Sequence, residues 1–161
     1  KTLIVYFSWS GCVGKLAERL RIMIEPSGEV AQARIEPTRK HGYWGWLLRS
    51  FLPGWKVAIR PVDFQPAEFD LVCLGFPKWT LGCPPVNQFI AMMRLAPAQR
   101  VALFMSYGGF DGERYLRTMS RKVADRGAKI AATACIRRSS IYDGSFEETM
   151  SSFASTALSG R

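Results

Sequence analysis

The sequence has little of what most enzymes use for side-chain chemistry. It contains one histidine, so a Ser/His/Asp arrangement would depend on His41 for every step. The cysteines lie far apart without a C-x-x-C pair, which argues against a zinc site and a secreted disulfide framework. Paired carboxylates are also scarce: Asp111 with Glu113 is the nearest case, and loop capping explains it as well. We therefore expect no catalytic side chain and no metal site, and any chemistry would have to come from a bound cofactor.

Long apolar runs are absent too. No run approaches the ~20 residues that cross a bilayer, and the first residues show no signal-peptide pattern. We expect a cytoplasmic protein with no transmembrane segment and with free thiols, and we expect that an initiator methionine or a few leading residues preceded Lys1. A redox role or a mutual bridge for Cys12 and Cys83 is the weaker alternative. With 161 residues, 48% of them hydrophobic, the chain is expected to form a single domain spanning residues 1–161.

Acidic residues are the third shortage. Lys and Arg number 22 against 13 Asp and Glu, a formal net charge of +9, which favours anionic partners. No recognised nucleic-acid-binding motif accompanies this charge, so we expect no nucleic-acid partner.

Apolar runs alternate with amphipathic segments along most of the chain. The predicted strands are residues 2–7, 30–35, 69–77, 100–109 and 129–136. Apolar residues at helical spacing predict helices that begin near Gly14, Pro84 and Gly112, and the third of these helices ends at Gly127. Ser145 and Glu148 form a capping-box pattern, which predicts the start of a final helix. This alternation predicts an α/β fold with a parallel sheet covered by helices on both faces.

Ligands of such sheets bind beyond the carboxyl ends of the strands. This rule selects three segments, which we call loop 1 (residues 8–14), loop 2 (residues 77–84) and loop 3 (residues 106–112). In loop 1, Ser8, Ser10 and the amides of Gly11 to Gly14 could surround a phosphate at the positive end of the next helix. The alternative is a plain connecting turn. It is not a Walker loop, since Leu16 stands where Ser or Thr is required.

Loops 2 and 3 add flat aromatic side chains and glycines at the same edge. Trp79 lies in loop 2, Tyr107 and Phe110 lie in loop 3, and Tyr115 follows. A planar ring with a phosphate tail would suit all three loops, although ordinary packing explains any one aromatic residue.

At this point the sequence resembles the flavodoxin-like family. "YFSWSGCVGKLAERL" resembles the family's phosphate loop, "FDLVCLGFPKWTLGCPPVNQFI" its second loop and "VALFMSYGGFDGERYL" its third. The resemblance implies a three-layer sandwich with a five-stranded parallel sheet in the order 2-1-3-4-5, noncovalent FMN, and one- or two-electron transfer.

The resemblance also implies the cofactor-binding residues, loop by loop. Those of loop 1 are Ser8, Trp9, Ser10, Gly11, Cys12, Val13 and Gly14. Those of loop 2 are Pro77, Lys78, Trp79, Thr80, Leu81 and Gly82. Those in and after loop 3 are Ser106, Tyr107, Gly108, Gly109, Phe110, Gly112 and Tyr115. The flavin ring is expected between Trp79 and Tyr107.

Two departures from the family pattern matter. Cys12 and Val13 stand where Asn and Thr are usual, so one phosphate hydroxyl is missing and FMN affinity is expected to fall by about ten- to a hundred-fold. Lys15 either compensates for this loss or is a solvated helix residue. In addition, typical small flavodoxins are acidic and this chain is basic, so a bound flavin is expected to have a higher midpoint potential than theirs.

An aromatic, basic insertion at about residues 37–66 precedes the third strand. Its cations and aromatics are Arg39, Lys40, Arg49, Lys56 and Arg60 with Tyr43, Trp44, Trp46, Phe51 and Trp55. It is expected to form either a short helix near residues 44–52 packed over the sheet edge, or a lid or docking surface for an acidic electron partner, a quinone or a membrane. A second basic cluster, at residues 114–126, is either a solvated face or a contact for nicotinamide phosphates.

The leading functional hypothesis is an FMN-binding redox protein that transfers electrons through a noncovalent flavin. The alternatives are a NAD(P)H- or quinone-linked flavin oxidoreductase and a flavin-free binding module of the same fold. The expected partner is a quinone or a redox protein, acidic if it is a protein, and a homodimer is left open.

Overall fold

The sheet is built from the apolar runs of the sequence. In the computed structural model, which describes residues 1–39 and 41–160, the parallel strands lie in the order β2-β1-β3-β4-β5. They are β1 (Thr2–Tyr6), β2 (Val30–Arg34), β3 (Leu71–Pro77), β4 (Arg100–Tyr107) and β5 (Lys129–Arg137). The predicted α/β fold and the order 2-1-3-4-5 are confirmed. Lys40, one of the predicted cations of the insertion, lies outside the described residues.

The helices follow the amphipathic segments. They are α1 (Cys12–Ile24), α2 (Tyr43–Ser50), α3 (Pro84–Met92), α4 (Gly112–Ala124), α5 (Arg138–Asp143) and α6 (Glu147–Leu158). Proline at the start of α3 costs no hydrogen bond, because the first helical amides have no partner within the helix. Gly127, just beyond α4, adopts the left-handed φ of 91° that stops a helix. Within the described residues, no helix is long and apolar enough to cross a membrane.

The core has two layers, one on each face of the sheet. Successive side chains of a strand point to opposite faces, so Leu3 and Val5 belong to the same core layer as Met119 of α4, while Ile4 belongs to the layer that contains Phe153 of α6. Both faces are therefore covered, and the loops at the carboxyl edge of the strands are left to form a site.

The connection between β5 and α6 differs from the prediction. α5 begins directly after β5, where the sequence pattern predicted no helix. The Ser145–Glu148 capping box is wrong, because Phe146 is the residue before α6 and no side chain caps that helix. Instead the Ser145 amide donates to Asp143 Oδ1 at 2.9 Å, after Gly144 (φ 83°) has ended α5.

The insertion between β2 and β3 is closed at its base. Pro37 and Ile59 form an isolated antiparallel bridge. The Thr38 amide donates to Ala58 O at 2.9 Å, and the Arg60 amide donates to Glu36 O at 2.7 Å. The segment containing α2 therefore leaves and returns to the body beside β2.

Candidate functional site

The three predicted loops meet at one edge of the sheet. Loops 1, 2 and 3 follow β1, β3 and β4, which are neighbouring parallel strands. The Lys78 amide donates to Ser106 O at 2.7 Å and joins loop 2 to the end of β4.

Loop 1 exposes the start of α1. Gly11 precedes the helix with φ 85°, a conformation that favours glycine, and it has no side chain to cap the helix. The Gly14 amide donates to the buried Ser8 Oγ at 3.2 Å. The amides of Cys12 and Val13 begin the helix and have no hydrogen-bond acceptor among residues 1–39 and 41–160. Loop 1 can therefore offer main-chain donors to an anion at the positive end of the helix.

The side chains of Cys12 and Val13 are buried in the core and do not face a ligand at the start of α1. Val13 is 1% exposed and packs in the core layer of α1 and α6. Cys12 is also buried there, with its Sγ 3.7 Å from the hydroxyl of Tyr142. At these two positions the main chain, rather than the side chain, is available to a ligand.

A cleft of about 400 Å³ opens between the three loops. We call it the central cleft. It is lined by Trp9, Ser10, Tyr43, Leu47, Pro77, Lys78, Trp79, Gly108, Gly109 and Arg138. Most of these residues were predicted, whereas Tyr43, Leu47 and Arg138 were not assigned to the site. Tyr43 and Leu47 come from α2, so the insertion forms one wall of the cleft.

A second cavity, of about 650 Å³, lies against the same loops, and we call it the side cavity. It shares Lys78, Trp79, Gly108 and Gly109 with the central cleft. Its other walls are Phe51, Pro53, Thr80, Leu81, Phe110, Asp111, Arg114, Tyr115 and Thr118. Loops 2 and 3, including Trp79, therefore contribute to both spaces.

Several predicted site residues line neither cavity. Tyr107 is half-buried and accepts a hydrogen bond from Arg137 Nε at 3.2 Å. Gly112 packs beneath it, since a Cβ there would lie 3.1 Å from the Tyr107 ring and 2.7 Å from Cys135 Sγ. The aromatic residue of loop 3 that shares a cavity with Trp79 is Phe110, which is 84% exposed. Among the remaining predicted residues, those that also line neither space are Ser8, Gly11, Cys12, Val13, Gly14, Gly82 and Ser106.

An aromatic cluster centred on Trp46 supports the cleft. Trp46 is 1% exposed, and its ring lies 6.0 Å from Phe7, 6.4 Å from Trp9 and 6.3 Å from Trp79. His41 meets Trp46 edge-on at 5.0 Å, which is a packing role. Part of the insertion therefore packs over the sheet edge, and its contacts position two tryptophans of the site.

Cations surround the central cleft. Lys78 and Arg138 line it, and the Arg138 guanidinium would lie 3.4 Å from a Cβ at Gly108. Arg34, at the end of β2, donates from Nη2 to Ser8 O at 2.9 Å. The cleft therefore has an electrostatic environment that favours an anionic ligand.

Known proteins resemble this chain in sequence and in fold. No family model matches it. An uncharacterised protein from Archaeoglobus fulgidus is 33% identical over 135 residues, which cover 84% of each chain. Flavodoxin 2 from Bacillus cereus superposes with a TM-score of 0.72 at 19% identity, over 100% of this chain and 99% of its own. The chain therefore has the flavodoxin-like fold. A flavoprotein from Lactobacillus acidophilus in complex with FMN also matches the flavodoxin-like chain, with a TM-score of 0.61 at 20% identity over 89% of this chain and 97% of its own.

Polar contacts fasten the insertion of this flavodoxin-like chain to loop 2. Ser50 is buried at the end of α2, and its Oγ lies 2.7 Å from Thr80 Oγ1. The Leu81 amide donates to Ser50 O at 2.9 Å. Gly82 leaves room for the insertion, since a Cβ there would lie 3.1 Å from Pro53 O.

A second anchor comes from α3 and α4 of the flavodoxin-like body. The buried Asn87 donates from Nδ2 to Pro53 O at 3.1 Å and to Trp55 O at 2.9 Å. Lys122 Nζ donates to Pro53 O at 2.6 Å and to Asn87 Oδ1 at 3.1 Å, and burial lowers the pKa of Lys122. Sequence reasoning missed this anchor, because its members are far apart and share no local spacing.

The cysteines of the flavodoxin-like chain are free thiols. Burial raises the pKa of Cys73, of Cys83 and of Cys135 to about 12, so these three carry protons near neutral pH and are poor nucleophiles. No cluster of metal-ligating side chains occurs among the described residues.

Proposed function

We propose that the chain binds FMN noncovalently in the central cleft and transfers electrons through it. The proposal rests on two features that lie side by side at the carboxyl edge of the sheet. The uncapped start of α1 offers main-chain donors, and the adjoining cleft is walled by Trp79 and glycines of loop 3. A phosphate suits the first feature and a flat ring suits the second.

The residues present fit this cofactor. Gly11 has open space where a Cβ would stand, so a phosphate can approach the main chain there. The Cys12 and Val13 amides would hold the phosphate, and the exposed Ser10 hydroxyl would add a donor. Trp79 would contact the ring, with Lys78 and Arg138 supplying positive charge beside it.

Bound FMN would supply one- or two-electron redox chemistry, and the protein would supply position and electrostatics. Lys78, Arg138 and Arg34 would stabilise negative charge on the reduced cofactor. We therefore expect a midpoint potential above that of acidic flavodoxins. The proposed electron partner is a quinone or an acidic redox protein.

Titration of the flavin-free protein with FMN tests the proposal. Calorimetry should give binding heat, and the flavin fluorescence should be quenched. Trp79→Ala should weaken binding by about ten- to a hundred-fold, because it removes one wall of the ring site. Trp44→Ala is the matched control, since Trp44 is 78% exposed and lines neither cavity, and its affinity should stay within about twofold of wild type.

Absence of both heat and quenching with the wild-type protein would contradict the proposal and favour a flavin-free binding module. If FMN binds, oxidation of NADPH in the presence of a quinone separates an oxidoreductase from an electron carrier. A carrier should show electron exchange with a reduced redox protein and no sustained turnover of NADPH.

A further inference from the structure

The solvent face of α2 is apolar. Trp44, Leu48 and Phe51 recur at helical spacing along one side, and they are 78%, 72% and 53% exposed. Trp46 and Ser50 occupy the opposite side and are buried. Large apolar side chains that protrude together from a surface mark an interaction site.

Two more large apolar residues are exposed after the helix. Leu52 is 50% exposed and Trp55 is 45% exposed, and both lie within five residues of the end of α2. We call the five residues Trp44, Leu48, Phe51, Leu52 and Trp55 the apolar ridge.

The surroundings of the apolar ridge are basic. Residues 37–62 contain no Asp or Glu, and their cations are Arg39, Lys40, Arg49, Lys56 and Arg60, of which Arg60 pairs with Glu36 at 3.4 Å. The side chains of Arg39 and Lys56 are exposed. The whole chain carries a net charge of +9, so the ridge is attracted to anionic surfaces at long range as well as locally.

We propose that the apolar ridge docks the protein onto the surface of an anionic lipid bilayer. A helix with Trp, Phe and Leu on one side and Lys or Arg around them lies in the membrane interface. Tryptophan is favoured there because its ring is apolar and its N–H remains hydrated. Lys and Arg add attraction to anionic headgroups, so charge complementarity selects an anionic membrane over a neutral one.

This docking would set the orientation of the site. Tyr43 and Leu47, on a third side of α2, line the central cleft. The cleft would therefore open next to the membrane surface. The proposal itself does not depend on a bound cofactor, because the ridge residues other than Phe51 line neither cavity.

Co-sedimentation of the full chain with vesicles tests the proposal, with and without added FMN. The vesicles are phosphatidylcholine alone or phosphatidylcholine mixed with phosphatidylserine. We expect a partition coefficient at least about tenfold higher on the anionic vesicles, and a fall in binding as salt is raised.

Two pairs of matched variants locate the surface. The double variant Trp44→Ser and Leu48→Ser should lower vesicle binding by about tenfold or more. The control variant Ile22→Ser with Met92→Ser should bind within about twofold of wild type, because these two residues are also exposed but lie on α1 and α3. Arg39→Gln with Lys56→Gln should lower binding to anionic vesicles more than Arg126→Gln with Lys129→Gln, although both pairs remove the same net charge.

Circular dichroism of each variant ensures that only folded protein is compared. Failure of the folded wild-type protein to bind anionic vesicles would overturn the proposal, as would equal losses in the ridge variants and their controls. Sedimentation velocity tests one other occupant of the ridge. If the wild-type protein does not bind vesicles but forms a dimer, and the Trp44→Ser and Leu48→Ser variant is monomeric, then a second copy of the chain covers the ridge and the proposal is wrong.

Discussion

Most large apolar side chains of the sheet body are buried, whereas several of those in the insertion are exposed. Leu3 of β1 and Phe104 of β4 are 0% exposed, whereas Trp44 and Leu48 of the insertion are both more than 70% exposed. Trp46 differs from these two, because it is buried among the aromatic residues of the site. The body is held by apolar packing on both faces of the sheet. The insertion is fixed by polar contacts to loop 2, α3 and α4 as well as by some apolar packing against that core.

The largest contrast should appear in global stability. Phe104→Ala should lower the free energy of unfolding by about 3–5 kcal/mol, because it opens a cavity in the core beside Gly75 and Phe153. Trp44→Ala should change it by less than about 0.5 kcal/mol. Urea denaturation followed by circular dichroism measures both values.

Similar losses for the two variants would contradict this prediction, since they would mean that the exposed face of α2 contributes to the core. Flavin must be absent from these measurements, because a ligand bound to the native state adds its own stabilisation.

The anchor of the insertion should give an intermediate effect. Asn87→Ala leaves Pro53 O and Trp55 O without the Asn87 amide, although Lys122 Nζ still donates to Pro53 O. We expect a cost of about 1–3 kcal/mol, concentrated in the insertion. Limited proteolysis should show faster cleavage within residues 51–60, with the sheet body left intact.

Gln88→Ala is the matched control for this prediction. Gln88 adjoins Asn87 on α3, and its amide donates to Met92 Sδ within the same helix. Its cleavage rate should match that of wild type. Equal acceleration in both variants would show that α3 as a whole, rather than the Asn87 amide, holds the insertion.

Sequence periodicity predicted most helices and strands of the body and the short helix of the insertion, for a physical reason. A buried strand such as β3 and a helix such as α4 repeat their apolar residues at spacings that burial imposes. α5 has only six residues, too few to display such a repeat, and it was missed. The Asn87–Lys122 anchor joins residues distant in sequence, so no local pattern could reveal it.

The same limit applied to the site. The order of strands and loops was enough to predict that loops 1, 2 and 3 meet at one edge of the sheet. It did not predict that Tyr107 would pack against Gly112, or that Tyr43 and Arg138 would line the central cleft. Those positions depend on side-chain packing between elements, which the order of elements along the chain does not specify.

The smallest expected effect is a shift in the midpoint potential of a bound flavin when one cation is removed. It tests whether a cation in the cleft or one in the insertion sets that potential. Lys78 lines both cavities, and its Nζ lies 5.6 Å from the Phe110 ring centroid, whereas the insertion residue Lys56 lines neither. If FMN binds, Lys78→Gln should lower its two-electron midpoint potential by about 20 mV, which corresponds to roughly 1 kcal/mol of lost stabilisation of the reduced, anionic cofactor. Lys56→Gln removes the same charge from the insertion and should leave the potential nearly unchanged, because solvent and salt screen a distant exposed cation. Spectroelectrochemical titration at fixed ionic strength measures both, and an equal shift in the two variants would assign the effect to net charge rather than to the position of Lys78.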